Sequence, residues 1–249
     1  MILQKDVFFE DESEDTHSII GKYFPDTVVI SDENVMLGNV PKGYSGPFRG
    51  SLFLATRLGR RFDFCDAIEW APSLREHMIS RDFFFQDASQ IVKSFDKMPV
   101  LHNGRCFIRP TRGNKVFSGN VYGKETFSRE VDFFSKSKNE SPYILCMLAS
   151  PQIIKKEWRI LFVGGEYCGS SQYMANGERE IDAFVPEEVI SFSQIVSKND
   201  YFQNIFDFVI DIGESSDSLG LVEINSFETA SFYGANLDTV YSKWAKSLK

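Results

Sequence analysis

The sequence predicts an α+β protein in which a mixed α/β N-terminal lobe over residues 1–98 is followed by β-rich lobes over residues 99–249. Three observations carry this expectation. Strand-like and helix-like stretches alternate up to about Lys97, and from Pro99 onward short apolar or alternating stretches dominate. Within "FVGGEYCG", Gly164 and Gly165 have the composition of a tight hairpin turn between Phe162 and Glu166, a mark of antiparallel pairing.

In the first lobe "DVFFE" reads as a short apolar strand, "SEDTHSIIGKYF" as a capped helix and the β-branched "DTVVIS" as a buried strand, a βαβ beginning. Val40–Ser51 is a loop by its Gly and Pro content, and "SLFLATRLGR" has helical spacing with Ser51 as its N-cap. "FDFCDAIEW" resumes as a strand, while "PSLREHMIS" and "ASQIVKSFDKM" read as helices opened by Pro or a small residue. In the second part "VLHNG", "CFIRP", "VFSGNVYG", "PYILCMLASP", "EWRILFVGGEYCGSSQY" and "LGLVEINS" read as strands. "YFQNIFDFVIDIG" reads as a helical region, whose "FVIDIG" end has the look of an apolar strand.

Composition narrows the classes of function. The chain has 249 residues, 43% hydrophobic and 25% charged, enough to bury a sizeable core. A net charge of -8 argues against general binding to nucleic acid or membrane surfaces, although one basic cleft remains compatible with it. The 24 phenylalanines seldom alternate with basic residues and read as core. Cys65, Cys106, Cys146 and Cys168 lack zinc-like pairing and read as buried thiols, and His17, His77 and His102 form no ligand-like or triad-like pattern. Without a signal-like start or a bilayer-length apolar run, the expectation is a cytoplasmic protein.

The candidate chemistry lies on strands. In "VEIN", Glu223 and Asn225 share one face, with Val222 and Ile224 on the other. A covered carboxylate wants a cation, and oxygen donors suit Mg2+; Asp211 on "FVIDIG" offers a third oxygen ligand. A solvated sheet face carrying Glu and Asn is the other reading. "FIRPTRGNKVFSG" places Arg109 at a strand end and Lys115 in a glycine-containing loop closed by Ser118 and Gly119, an arrangement suited to polyphosphate or simply to a solvated hairpin. "KKEWRILFV" puts Glu157 and Arg159 on one face of a further strand.

Taken in order, "FIRP", the loop lysine before "FSG", "YILCMLASP", "EWRILFVGGE", the aspartate of "FVIDIG" and the terminal "VEIN" resemble the ATP-grasp fold. More narrowly they resemble its divergent clade with two arginines and a lysine as signature residues, which includes the eukaryotic cell-division-cycle protein that assembles a translation initiation factor. The resemblance spans roughly Pro99–Gly234, and "FRGS" at Phe48–Ser51 is similar to a feature of that clade's N-terminal region. Arg109 stands where common ATP-grasp ligases carry lysine, as in the divergent clade.

The resemblance implies ATP sandwiched between two β-rich lobes, with adenine bonded through backbone groups near Met147, Leu148 and Ala149. Arg109 and Lys115 would hold phosphates, and Asp211, Glu223 and Asn225 would bind one or two Mg2+ ions. Arg159 would face the γ-phosphate and a developing acyl phosphate; Glu157 would touch ribose or pair with a cation. The implied activity is an ATP- and Mg2+-dependent ligase joining a carboxylate to an amine or other nucleophile. A protein or peptide substrate comes first and a small amino-acid-like one second. A non-catalytic ATP-binding assembly factor and a kinase-like phosphotransferase are the alternatives.

Overall fold

Apolar Ile2 and Leu3 place β1 (Ile2–Gln4) at the centre of a parallel sheet, between β2 (Val28–Ile30) and β3 (Phe48–Arg49). The computed structural model describes residues 1–5, 15–112, 117–137, 143–216 and 218–249. Helix α1 (Asp15–Tyr23) precedes β2, and α2 (Asp32–Leu37) follows it between an N-cap at Ser31 and a left-handed Gly38. Helix α3 (Leu52–Arg57) starts where the sequence predicts, the Ser51 hydroxyl accepting from the Leu54 amide at 3.1 Å. The short α4 (Ala67–Trp70) leads out of this lobe.

A second, four-stranded antiparallel sheet has the order β4-β7-β5-β6, built from β4 (Phe83–Asp87), β5 (Arg105–Pro110), β6 (Asn120–Gly123) and β7 (Leu145–Ala149). Helices α5 (Ala88–Ser94) and α6 (Lys124–Ser137) cover one of its faces, where Ile91 and Phe127 pack on Cys106, Ile108, Cys146 and Leu148. Both β4 and α5 come from the first 98 residues, so a division at 98/99 runs through one packed layer.

The third sheet is antiparallel in the order β10-β9-β8-β11-β12. Its strands are β8 (Lys156–Val163), β9 (Glu166–Ala175), β10 (Glu178–Asp182), β11 (Phe208–Glu214) and β12 (Leu219–Ser226). On one face Trp158, Ile160, Phe162, Ile210 and Ile212 pack with Val189 and Val196 of α7 (Glu187–Ser197). On the other, Leu161, Val163 and Val209 pack under Tyr241 and Trp244 of α8 (Leu237–Ser247). Side chains alternate, so the next residues along this second face are Arg159 and Asp211. The apolar cover ends where the polar site begins.

Several local expectations are revised. "FDFCDAIEW" is not a strand but a 3-10 turn, Asp63–Cys65, followed by α4, because Ala67, Trp70, Ala71 and Leu74 enter the core at helical spacing. "PSLREHMIS" holds only a 3-10 turn, Arg75–His77, before Met78 bridges Leu221 and the Ile79 amide bonds its carbonyl. "VLHNG" is a turn, with Asn103 and Gly104 at positive φ. "YFQNIFDFVIDIG" is not helical: a 3-10 turn, Asp200–Phe202, begins one residue before it and β11 follows, whose Phe208–Gly213 stretch is buried throughout between two neighbouring strands. "DVFFE" lies outside the described residues. The Gly164-Gly165 turn is as predicted, with φ of 60° and 73°. Among the described residues no helix is long and apolar enough to cross a membrane.

Candidate active site

Arg159, Asp211 and Glu223 stand side by side on β8, β11 and β12, each in register with the next. Asp211 is 1% exposed and accepts from Arg159 Nε at 2.9 Å and Nη2 at 2.8 Å. Asn225, two residues along from Glu223, donates to the same carboxylate at 3.0 Å. Burial works against the Arg159 charge, but Asp211's charge and hydrogen bonds outweigh it and raise the guanidinium pKa. A β-bulge places two residues of β12 opposite one of β11 at this point. Leu221 and Ile224 are therefore both fully buried while Val222 is only half-buried, so the expected pairing of Val222 with Ile224 on one face fails while Glu223 and Asn225 still share the other.

Arg109 reaches this row from the other sheet. It leaves β5 and donates through Nη2 to Glu223 Oε1 at 2.6 Å. Gly119 lies close over it, since a Cβ there would sit 3.0 Å from Phe107 Cζ and 3.1 Å from Arg109 Cβ. Lys115 lies outside the described residues.

Two tyrosines complete the setting of Arg159. Tyr173 is the extra residue of a bulge in β9, which turns its ring over the guanidinium. Its hydroxyl donates to Glu157 Oε2 at 2.7 Å, and burial raises the pKa of both groups. Tyr233, in the loop after β12, stacks on Tyr173 with centroids 5.0 Å apart and lies 4.9 Å from the Arg159 guanidinium carbon. Arg159 Nη1 also donates to the Ser231 carbonyl at 3.1 Å, so three of its five N–H groups are engaged.

The loop carrying Ser231 and Tyr233 is held by Arg49 of β3. Its guanidinium, 1% exposed, donates to the carbonyls of Phe227 and Ala230 at 2.6 and 2.8 Å and lies 3.8 Å over the Phe232 ring. The Gly50 amide bonds the Glu228 carbonyl, which adds a second tie between the N-terminal lobe and this loop. "FRGS" thus acts on the site through the loop.

A family model described as ATP-grasp domain, R(2)K clade family 2, matches residues 81–243. The chain belongs to the ATP-grasp superfamily. A search of curated proteins finds no significant match. Among solved structures, the D-cycloserine synthetase DcsG superposes with a TM-score of 0.63 at 13% identity, covering 100% of both chains. A RiPP-associated ATP-grasp ligase from Chryseobacterium gregarium, solved with ADP and a leader and core peptide, gives 0.54 at 11% identity over 99% of this chain and 96% of its own. D-alanine–D-alanine ligase from Bacillus anthracis gives 0.53 at 10% identity, over 99% and 94%. At these identities the likeness is one of fold.

Of the ATP-grasp site residues expected from the sequence, Arg109, Arg159, Asp211, Glu223 and Asn225 meet in one cluster and Glu157 adjoins it through Tyr173. Met147, Leu148 and Ala149 lie on β7, which is paired with β4 on one side and β5 on the other, so their backbone is taken up by the sheet. Among the described residues no group of three or more His, Cys, Asp or Glu side chains gathers as a metal site. Two carboxylates and an amide on adjacent strands are nonetheless hard oxygen donors, and both carboxylates already face a guanidinium, so this spot demands positive charge. The donor set fits Mg2+. Sequence reasoning missed Tyr173, Tyr233 and Ser231, although the last two follow "VEIN" within ten residues.

Proposed function

We propose that this protein is an ATP- and Mg2+-dependent ligase that activates a carboxylate as an acyl phosphate for attack by an amine or other nucleophile. The supporting observation is the row Arg159–Asp211–Glu223, met from the opposite sheet by Arg109, in a chain of ATP-grasp fold and family. In this reading the nucleotide lies between the sheet of β5 and the sheet of β8, β11 and β12. Arg109 neutralises phosphate oxygens together with Lys115. The base is bonded by backbone next to Met147–Ala149, where the chain leaves the β7 ladder. Asp211, Glu223 and the Asn225 amide oxygen would hold Mg2+, which supplies charge neutralisation between phosphates. Arg159, fixed by Asp211, Ser231 and two rings, keeps a pre-oriented positive charge where negative charge develops on the transferred phosphoryl group. Glu157 lines the ribose side or steadies Arg159 through Tyr173.

The acceptor classes follow from what the structural relatives are named for: a peptide for the Chryseobacterium gregarium ligase, an amino-acid-like molecule for DcsG and D-alanine–D-alanine ligase. A carboxylate or amine of a peptide or protein is the first choice of substrate, and the setting is a soluble, cytoplasmic one. The test is ADP release with Mg2+-ATP against panels of peptides and amino acids, with the product mass recorded. Joined product with stoichiometric ADP supports the ligase. ATP bound tightly but never turned over with any panel would make the protein a nucleotide-binding assembly module, and phosphate retained on the product would make it a phosphotransferase.

A further inference from the structure

The third sheet divides the site into two flanks. Glu223, Asp211 and Arg159 lie across β12, β11 and β8, and Arg109 meets this flank from β5. Beyond Arg159 the sheet continues into β9 and β10, where Tyr173 and Arg179 stand. Arg179 is exposed on the edge strand β10, and its guanidinium carbon lies 5.8 Å from the centre of the Tyr233 ring. Arg159 lies 4.9 Å from the same ring, so two guanidinium groups share one aromatic side chain. Gly234 lets β10 close on this loop, since a Cβ there would sit 3.0 Å from Ile181 Cγ2. Of the acids beside Arg179, Glu180 accepts from the buried Gln172 amide at 3.0 Å and Asp182 accepts from the Phe184 backbone N–H at 2.9 Å. Both are engaged locally, and the cation of β10 is the group turned to Tyr233. In a chain of net charge -8, that is a local reversal of sign at the edge of the site.

Resting on the ligase reading, we propose that Arg179 determines specificity by binding a second carboxylate of the molecule whose first carboxylate is activated at Arg159. That molecule is then a diacid, either an acidic amino acid or a peptide with an Asp or Glu close to the reacting group. The nucleotide takes the flank of Arg109 and Glu223, which leaves the approach over β9 and β10 to the substrate. Tyr233 connects the two ends, because its ring covers Arg159 and backs Arg179, and a chain lying across it presents one carboxylate to each guanidinium. With five N–H donors, a guanidinium takes a substrate carboxylate without giving up its other contacts. Arg179 touches neither the transferred phosphoryl group nor the reacting carbon, so its effect falls on substrate binding and orientation.

The test is ADP release by the whole chain with Mg2+-ATP and matched pairs of substrates, Asp against Asn and Glu against Gln, offered both as free amino acids and within peptides. The free and peptide arms separate the two sources of a diacid. In wild type the diacid has a KM about fivefold below that of its amide partner with kcat within about twofold, and the gap narrows as salt is raised. Arg179→Gln loses this preference, whereas Arg179→Lys, which keeps the charge, retains part of it. Calorimetry with Mg2+ and ADP gives the same affinity for Arg179→Gln as for wild type, because the residue lies on the other flank. Wild type that does not prefer the diacid overturns the proposal without any variant. An Arg179→Gln protein that keeps the full preference, or that binds Mg2+-ADP more weakly, also overturns it and leaves the ligase reading standing. Wild type that binds Mg2+-ATP but turns over neither member of any pair removes the ligase reading, and the proposal with it.

Discussion

The ring of Tyr233 covers the Arg159 guanidinium at 4.9 Å from a backbone held at φ 48°. A bulky residue in the left-handed region carries about 1–2 kcal/mol of strain, and such strain persists where surrounding contacts over-determine it. Here the contacts are the stack on Tyr173 and the cover of Arg159.

Those magnitudes set the first expected outcome. The ring contributes about 0.5–1.5 kcal/mol by stacking and a similar amount over the cation. Tyr233→Gly loses these contacts but relieves the backbone, so its stability falls by about 1 kcal/mol or less. Tyr233→Ala loses the ring and keeps the strain, and falls by about 1–3 kcal/mol; Tyr233→Phe stays near wild type. Urea unfolding of the three variants decides it, and equal stability of the Gly and Ala proteins would show that the backbone is not strained.

Asp211 and Glu223 are adjacent carboxylates with different structural weight. Asp211→Asn leaves the buried Arg159 charge without its partner and costs about 3–5 kcal/mol. Glu223→Gln keeps an oxygen for Arg109 in a more open place and costs about 1–2 kcal/mol. Both variants lose divalent-dependent nucleotide binding. Unfolding curves alongside Mg2+-ATP calorimetry separate the two effects; a Glu223→Gln protein with wild-type Mg2+-ATP affinity would remove Glu223 from the metal site.

The polar row was legible in sequence because strand alternation fixes faces: Glu157 with Arg159, and Glu223 with Asn225, need only the period of two. Ser51 as a cap and Gly164-Gly165 as a turn were legible for equally local reasons. What escaped depends on tertiary context. Tyr173 faces the guanidinium because of a bulge whose position no local pattern announces, and Tyr233 does so from an irregular loop pinned by Arg49, far away in the chain. The resemblance places adenine beside the backbone of Met147–Ala149, and the pairing of that backbone on both flanks emerges only with β4, which "FFFQD" does not announce. Helix α6 was missed although Phe127, Val131 and Phe134 carry helical spacing, because charged residues between them dilute the apolar signal.

Arg49 gives a test at a distance. Arg49→Lys keeps a charge but replaces the rigid guanidinium, whose Nη1 donates to both the Phe227 and Ala230 carbonyls, with a flexible, more strongly hydrated ammonium of shorter reach. Losing one charge-assisted bond costs about 1.5–3 kcal/mol. Because Ser231 and Tyr233 follow those carbonyls, the variant also loosens the cover of Arg159. Amide hydrogen exchange across residues 227–234 rises in Arg49→Lys more than exchange in the β1–β3 sheet. A uniform rise would reduce Arg49 to a general stabiliser.

Glu157 gives the last expected outcome, through pH. Burial raises its pKa above the ordinary value of 4.5, the hydrogen bond from Tyr173 opposing the shift only in part. The folded protein thus holds this proton to higher pH than the unfolded chain does. Its contribution to stability is complete below the unfolded pKa and is lost as pH rises through the folded one. Glu157→Gln keeps an oxygen for the Tyr173 hydroxyl and removes the titration. Relative to wild type, the variant should gain stability as pH rises from about 4 through the folded pKa, then hold a constant advantage. Glu228, also raised by burial, titrates in both proteins and cancels in the difference. Urea unfolding of the pair between pH 4 and pH 8 measures the effect, and a difference independent of pH would mean that Glu157 is as well solvated in the folded protein as in the unfolded chain.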